Sequence, residues 1–215
     1  MLFELFMQHT GHPIFKWKHY LPAYERHFVR FQSQSVLVIE LGVGLGGSLQ
    51  LWKKFFGPHA TIVGIDINRD LKQFEEDQIH IRIGSQSDTA FLRKVIEEFG
   101  TPDIIIDDGS HVMEDVNASF DFLYPLLAKN GVYCVEDLHT AYWEDYGGGY
   151  KRSSTFIERS KSFIDSLNAH HARGQFEIDN ITDLTMSMHI YDSMVFLEKG
   201  LHGTRECVWV PGPPE

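Results

Sequence analysis

The stretch SVLVIELGVGLGGSLQLWKKFF, residues 35–56, runs from an apolar segment of strand length through a glycine loop into a segment of helical period. Leu49, Trp52, Phe55 and Phe56 recur at the spacing that puts them on one helical face, and Gly57-Pro58 closes the helix. Gly42, Gly44, Gly46 and Gly47 fill the turn between them, where glycine lets the backbone bend sharply and approach a ligand closely. Strand, glycine turn and helix together predict the first crossover of a doubly wound α/β sheet.

Working outward, the same alternation repeats. ATIVGID (60–66) and HIRIG (80–84) read as the second and third strands, and Ser87 as the N-cap of a helix carrying Leu92, Val95, Ile96 and Phe99. PDIIID (102–107) is the fourth strand, residues 112–129 form a helix with Phe120, Leu123 and Leu127, and Asn130-Gly131 turns into the fifth strand, VYCVE (132–136). A polar, aromatic and glycine-rich stretch from 138 to 150 precedes a long helix to about Gly174, and MSMHIYDSMVFLEK (186–199) supplies a terminal pair of strands. The fold expected is α/β, a doubly wound, mostly parallel, seven-stranded sheet in one domain. Residues 1–34, with a helix over PAYERHFVRF, form an N-terminal cap; residues 35–200 form the core and 201–215 a tail.

Composition narrows the function classes. A formal charge of −11 argues against nucleic acid or an anionic membrane as partner, since both need clustered Lys and Arg. Cys134 and Cys207 make no disulfide framework, and no apolar run approaches the ~18 residues of a membrane span, so the expected location is the cytoplasm. The aromatic share of 13% leaves rings for a pocket or for a homo-oligomer contact.

The residues that carry chemistry lie at the ends of the strands. Asp66 ends the second strand, where a carboxylate can accept the ribose hydroxyls of an adenosine-containing cofactor. Glu40 with Gly42, Gly44 and Gly46 matches an E-x-G-x-G-x-G pattern, and Ser85 and Gln86 after the third strand can meet an adenine edge; Asp107 closes the cofactor side. These features favour S-adenosylmethionine, although Gly42, Gly44 and Gly47 also satisfy G-x-G-x-x-G, so NAD stays open. Asp108 after the fourth strand and Glu136 and Asp137 after the fifth should converge, because neighbouring parallel strands bring their carboxyl ends to one crevice. Clustered carboxylates repel unless a cation neutralises them, and an all-oxygen set suits Mg²⁺ first, then Mn²⁺. His111, three residues after Asp108, is placed to remove a proton from a hydroxyl. His139 is a candidate substrate contact, and residues 139–150 read as a lid whose Tyr142 and Trp143 offer rings to a sugar.

The motifs ELGVGLGGSLQLWKKFF, GIDI, GSQSD, DIIIDDGSH and VYCVEDLHTAYW resemble those of the metal-dependent sugar O-methyltransferases of natural-product biosynthesis, the mycinamicin VI 2''-O-methyltransferase and rhamnosyl O-methyltransferase type. That resemblance implies a Rossmann-like methyltransferase fold and a metal held by Asp108, Glu136 and Asp137. It also implies vicinal sugar hydroxyls on the metal, His111 as base, and Tyr20 closing over the cofactor. The larger members carry an N-terminal auxiliary domain ahead of this region. A non-catalytic cofactor-binding relative is the alternative in which the same fold persists without turnover.

Overall fold

The computed structural model describes residues 1–200 and 206–210. Seven strands, β1 (Leu37–Leu41), β2 (Thr61–Asp66), β3 (Ile79–Ile83), β4 (Ile104–Asp107), β5 (Val132–Val135), β6 (Thr185–Tyr191) and β7 (Met194–Lys199), form one sheet in the order β3-β2-β1-β4-β5-β7-β6. The first five strands pair in parallel, while β7 is antiparallel to both β5 and β6. This is the doubly wound, mostly parallel sheet expected from the sequence. The strand order reverses between β1 and β4, and the loops after these strands open into a crevice at their carboxyl ends.

Alternate strand residues feed two cores. Val38, Ile62, Ile81, Ile104, Ile106 and Cys134 pack beneath α1 (Leu2–Met7), α2 (Leu21–Phe28) and α3 (Gly47–Phe56), whose Trp52 and Phe56 are fully buried. Ile39, Val63, Ile65, Ile105 and Tyr133 face α4 (Thr89–Phe99), α5 (Met113–Leu123) and α6 (Phe156–Asn168) on the other side. A seventh helix, α7 (Asn180–Leu184), leads into β6.

Three boundaries differ from expectation for local reasons. The N-cap of α4 is Asp88, whose carboxylate accepts from the backbone of Ala90 and Phe91; Ser87 instead pairs with the Ser85 hydroxyl. The helix read over 112–129 ends at Leu123 and continues as a 3₁₀ turn at Tyr124–Leu126, because Pro125 has no N–H to extend the α ladder. Lys199 from β7 then donates to the carbonyls of Pro125 and Leu127 that this break leaves over. The long helix stops at Asn168, gives one 3₁₀ turn at Ala169–His171, and reaches Gly174 in the left-handed region (φ 79°). Most of the 201–215 tail lies outside the described residues.

Candidate functional site

Gly42 sits where β1 ends, with φ 90°, and a Cβ there would lie 2.0 Å from the Asp108 carbonyl oxygen. It floors two adjoining cavities. One, of about 290 Å³, is lined by Asp66, Gly84, Ser85, Gln86, Gly109 and Ser110, among others. The other, of about 320 Å³, is lined by Gly44 and Ser48 of the glycine loop, by residues 13–16, and by Asp108, His111 and Asp137. The Asp66 carboxylate is fixed by the amides of Val43 (3.0 Å) and Asn68 (2.9 Å), which leaves lone pairs facing the first cavity.

Of the residues assigned to the cofactor from sequence, Glu40, Asp107, Gly46 and Tyr20 line neither cavity, and each is held elsewhere by its own contacts. Glu40 is fully buried behind the loop, its oxygens accepting from Ser48 Oγ (2.8 Å) and Lys16 Nζ (3.3 Å). Asp107 is wrapped by Gln86, Ser119 and the Tyr133 hydroxyl, and burial lifts its carboxyl to about 6 against the pull of Ser119, Gln86 and the Gly109 amide. Gly46 adopts φ 81° to start α3 and lies against the Phe74 ring. Gln86 borders the first cavity but spends its side chain bridging Asp107 (3.0 Å) and the Ser110 amide (2.7 Å), so it shapes the loop after β4. The Tyr20 hydroxyl donates to Asp137 Oδ1 (2.7 Å), and its ring is buried, not laid over the crevice.

The acidic residues converge as the strand order requires. Asp108, His111 and Asp137 each offer a donor atom within 4.8 Å of the others. His111 Nε2 stands 3.8 Å from Asp108 Oδ1 and 3.7 Å from Asp137 Oδ2, too long for hydrogen bonds and close enough to share one small ligand. His111 and Asp137 both hold left-handed backbone (φ 58° and 52°), a conformation that costs non-glycine residues energy and clusters at functional sites. The Thr140 hydroxyl, 2.8 Å from the Asp137 carbonyl and 3.2 Å from that of His111, lies between the two loops. Glu136 lies deeper, 2% exposed, outside that triad.

Sequence reasoning missed the residue at the centre of this cluster. Lys16 Nζ lies 2.5 Å from Asp108 Oδ2, 2.8 Å from Glu136 Oε2 and 3.3 Å from Glu40 Oε1, with its side chain 3% exposed. Its neighbour Phe15 is 92% exposed. Leaving a phenylalanine in water forgoes about 1.5–3 kcal/mol of burial, a cost the strap carries while the Lys16 ammonium is seated among three carboxylates. Burial alone would push the Lys16 amine down, but Asp108, Glu136 and Glu40 together hold it well above the usual lysine range. Burial and the charge of Asp108 drive Glu136 upward despite the ammonium, because three carboxylates share a single positive charge. Glu136 Oε1 is buried and makes no hydrogen bond of normal geometry among the described residues, although the buried Tyr24 hydroxyl pulls on this carboxylate. This donor set, oxygen-rich and under-neutralised, fits a hard divalent cation.

At the rim, His139 is held by Ser193 Oγ (2.7 Å) and stands between the rings of Trp17 and Trp143, with centroids 6.1 and 4.9 Å away. Tyr142 and Trp143 are each about half exposed. Residues 138–146 form two 3₁₀ turns, and Gly148 and Gly149 close them through bonds to the Trp143 and Ala141 carbonyls.

Residues 3–180 match the family described as Rhamnosyl O-methyltransferase/CmcI. The chain is 38% identical to the 8-demethyl-8-(2-methoxy-alpha-L-rhamnosyl)-tetracenomycin-C 3'-O-methyltransferase of Streptomyces olivaceus, over 86% of this chain and 50% of that one. It is 36% identical to the mycinamicin VI 2''-O-methyltransferase of Micromonospora griseorubida, over 93% of this chain and 53% of that one. A solved structure of the MycE methyltransferase from the mycinamycin biosynthetic pathway, in complex with Mg, SAH and mycinamycin VI, superposes with a TM-score of 0.85 at 35% identity, covering 98% of this chain and 56% of that one. The chain thus spans about half the length of the curated relatives it matches. On the family match and these identities, the chain belongs to the rhamnosyl O-methyltransferase/CmcI family.

Proposed function

We propose that this chain binds S-adenosylmethionine and, with a divalent cation, transfers its methyl group to a hydroxyl of a sugar or glycosylated natural product. The observation that carries the reading is the junction of the two cavities at Gly42. A nucleoside-sized space bordered by the Asp66 carboxylate and a space walled by Asp108, His111 and Asp137 meet at Gly42, which lines both. Gly42 and Gly44 would pass the methionine part of the cofactor between them, with Asp66 on the ribose and Ser85 near the adenine. Asp108, Asp137 and Glu136 would hold Mg²⁺ or Mn²⁺, which when bound lowers the pKa of a coordinated hydroxyl. The His111 imidazole faces the same space and would take the hydroxyl proton at Nε2, a contribution of about 10²–10⁴ in rate. His139, Tyr142 and Trp143 at the rim would contact the acceptor. Relatives whose names specify rhamnosyl and mycinamicin acceptors support a sugar as the acceptor class.

A thermal-shift series with S-adenosylhomocysteine and NAD, each with Mg²⁺ and with EDTA, tests this. A ligand at 100 times its Kd stabilises by about 2.7 kcal/mol. Stabilisation by S-adenosylhomocysteine, and loss of the added Mg²⁺ effect in Asp108→Ala, is expected. Stabilisation by NAD alone would replace the reading with a nicotinamide-dependent one.

A further inference from the structure

Lys16 reaches the acidic cluster from a strap, residues 12–17, that crosses the start of α3. The strap is fixed there by the His12 amide donating to Gln50 Oε1 (2.8 Å), and it runs so close that a Cβ on Gly47 would lie 2.2 Å from the His12 carbonyl oxygen and 2.4 Å from that of Pro13. Beyond that anchor, Pro13, Ile14, Phe15 and Lys16 form a wall of the cavity that holds Asp108, His111 and Asp137. The Lys16 ammonium bridges Asp108 Oδ2 and Glu136 Oε2, one carboxylate oxygen from each of two residues that would hold the cation.

We propose that Lys16 is a tethered competitor for the divalent cation: the ion and the ammonium contend for Asp108 and Glu136, and binding of the ion expels Lys16 and loosens the strap over the crevice. This rests on the metal-dependent reading above. With Lys16 seated, the ammonium engages Glu136, Glu40 and one oxygen of Asp108, and among the described residues of this cluster Asp108, His111 and Asp137 keep ligand atoms within reach of one another. Recruiting Glu136 requires Lys16 to leave, because two cations placed between the same pair of carboxylates repel at short range in a poorly screened site. Lys16 therefore sets the affinity of the metal and ties its occupancy to the wall of the acceptor space. Its role is to position and compete; it need not touch the acceptor.

Two measurements test this without reference to turnover. Mn²⁺ binding followed by electron paramagnetic resonance should tighten by about tenfold or more in Lys16→Met and in Lys16→Gln, since each removes the competing charge. In the wild-type protein, amine-labelling footprints read by mass spectrometry should show Lys16 protected in EDTA and reactive at saturating Mn²⁺, with exposed Lys18 as the internal reference. Affinity unchanged or weakened in both variants, or Lys16 still protected with Mn²⁺ demonstrably bound, overturns the competition. Titration with S-adenosylhomocysteine on the same samples separates the failures. Mn²⁺ binding to neither wild type nor variants removes the metal reading together with this one, whereas normal Mn²⁺ and S-adenosylhomocysteine binding with an immobile Lys16 removes this one alone.

Discussion

Replacing Gly42 with alanine puts the crevice floor to a quantitative test. The new Cβ would lie 2.0 Å from the Asp108 carbonyl oxygen, 2.8 Å from its carbon and 3.0 Å from Gly109 Cα, where ordinary contact begins at 3.4 Å. The carbonyl must therefore retreat by more than an ångström, yet the Asp108 amide is bonded to the Leu41 carbonyl (3.0 Å) and its carboxylate to Lys16. Alanine at φ 90° adds backbone strain of about 1–3 kcal/mol, and forcing the two loops apart adds about 1–3 more. The expected loss is about 2–6 kcal/mol in urea denaturation followed by tryptophan fluorescence. Gly44→Ala is the control. Its φ is 53° and no atom lies within 4 Å of the added Cβ, so only a backbone cost of about 1–2 kcal/mol remains. Because Gly42 borders both cavities, its variant should also lose stabilisation by S-adenosylhomocysteine. Equal stability of the two variants, with ligand stabilisation intact in Gly42→Ala, would refute the argument that close approach of β1 and β4 shapes the site.

Lys199→Met strands the Pro125 and Leu127 carbonyls that the ammonium serves at 2.7 and 2.6 Å, and should lower stability by about 2–3 kcal/mol; an unchanged urea midpoint would show that water replaces it. His27 is 1% exposed, with Nδ1 on Glu198 (2.7 Å) and Nε2 on the Tyr191 hydroxyl (2.9 Å), and burial holds it below its usual 6.5 despite the Glu198 carboxylate. The unfolded chain then binds the proton more readily than the folded one, so stability falls as pH drops below about 6.5. His27→Gln should flatten that part of the curve, and parallel profiles would exclude His27 as its source. Trp143→Ala removes a half-exposed ring that packs on His139, and should raise acceptor KM while sparing S-adenosylhomocysteine affinity. Unchanged acceptor kinetics would release Trp143 from that role.

How much of this was legible follows from the range over which each signal acts. Strand alternation and helix period are local, so Ile104, Ile105 and Ile106 could be placed in a buried strand, and Trp52 and Phe56 on an inward face, from spacing alone. Convergence of Asp108 with Asp137 followed from one further rule, that neighbouring parallel strands present their carboxyl ends together. Where a side chain's direction depends on its particular partners, a position at a strand end does not supply it. Glu40, at the end of the strand that leads into the glycine loop, turned inward to Ser48 and Lys16, and Asp107 inward to Ser119 and Gln86. Lys16 lies on the far side of this limit. It sits in an aperiodic stretch between two aromatic residues, where neither spacing nor propensity says which side chain faces in. The carboxylates on the strand ends did announce a need for positive charge, but 19 lysines and arginines could have answered it. Only the path of residues 12–17 across Gly47 singles out the one that does, which is why a metal ion alone was inferred for a place where the chain brings a cation of its own.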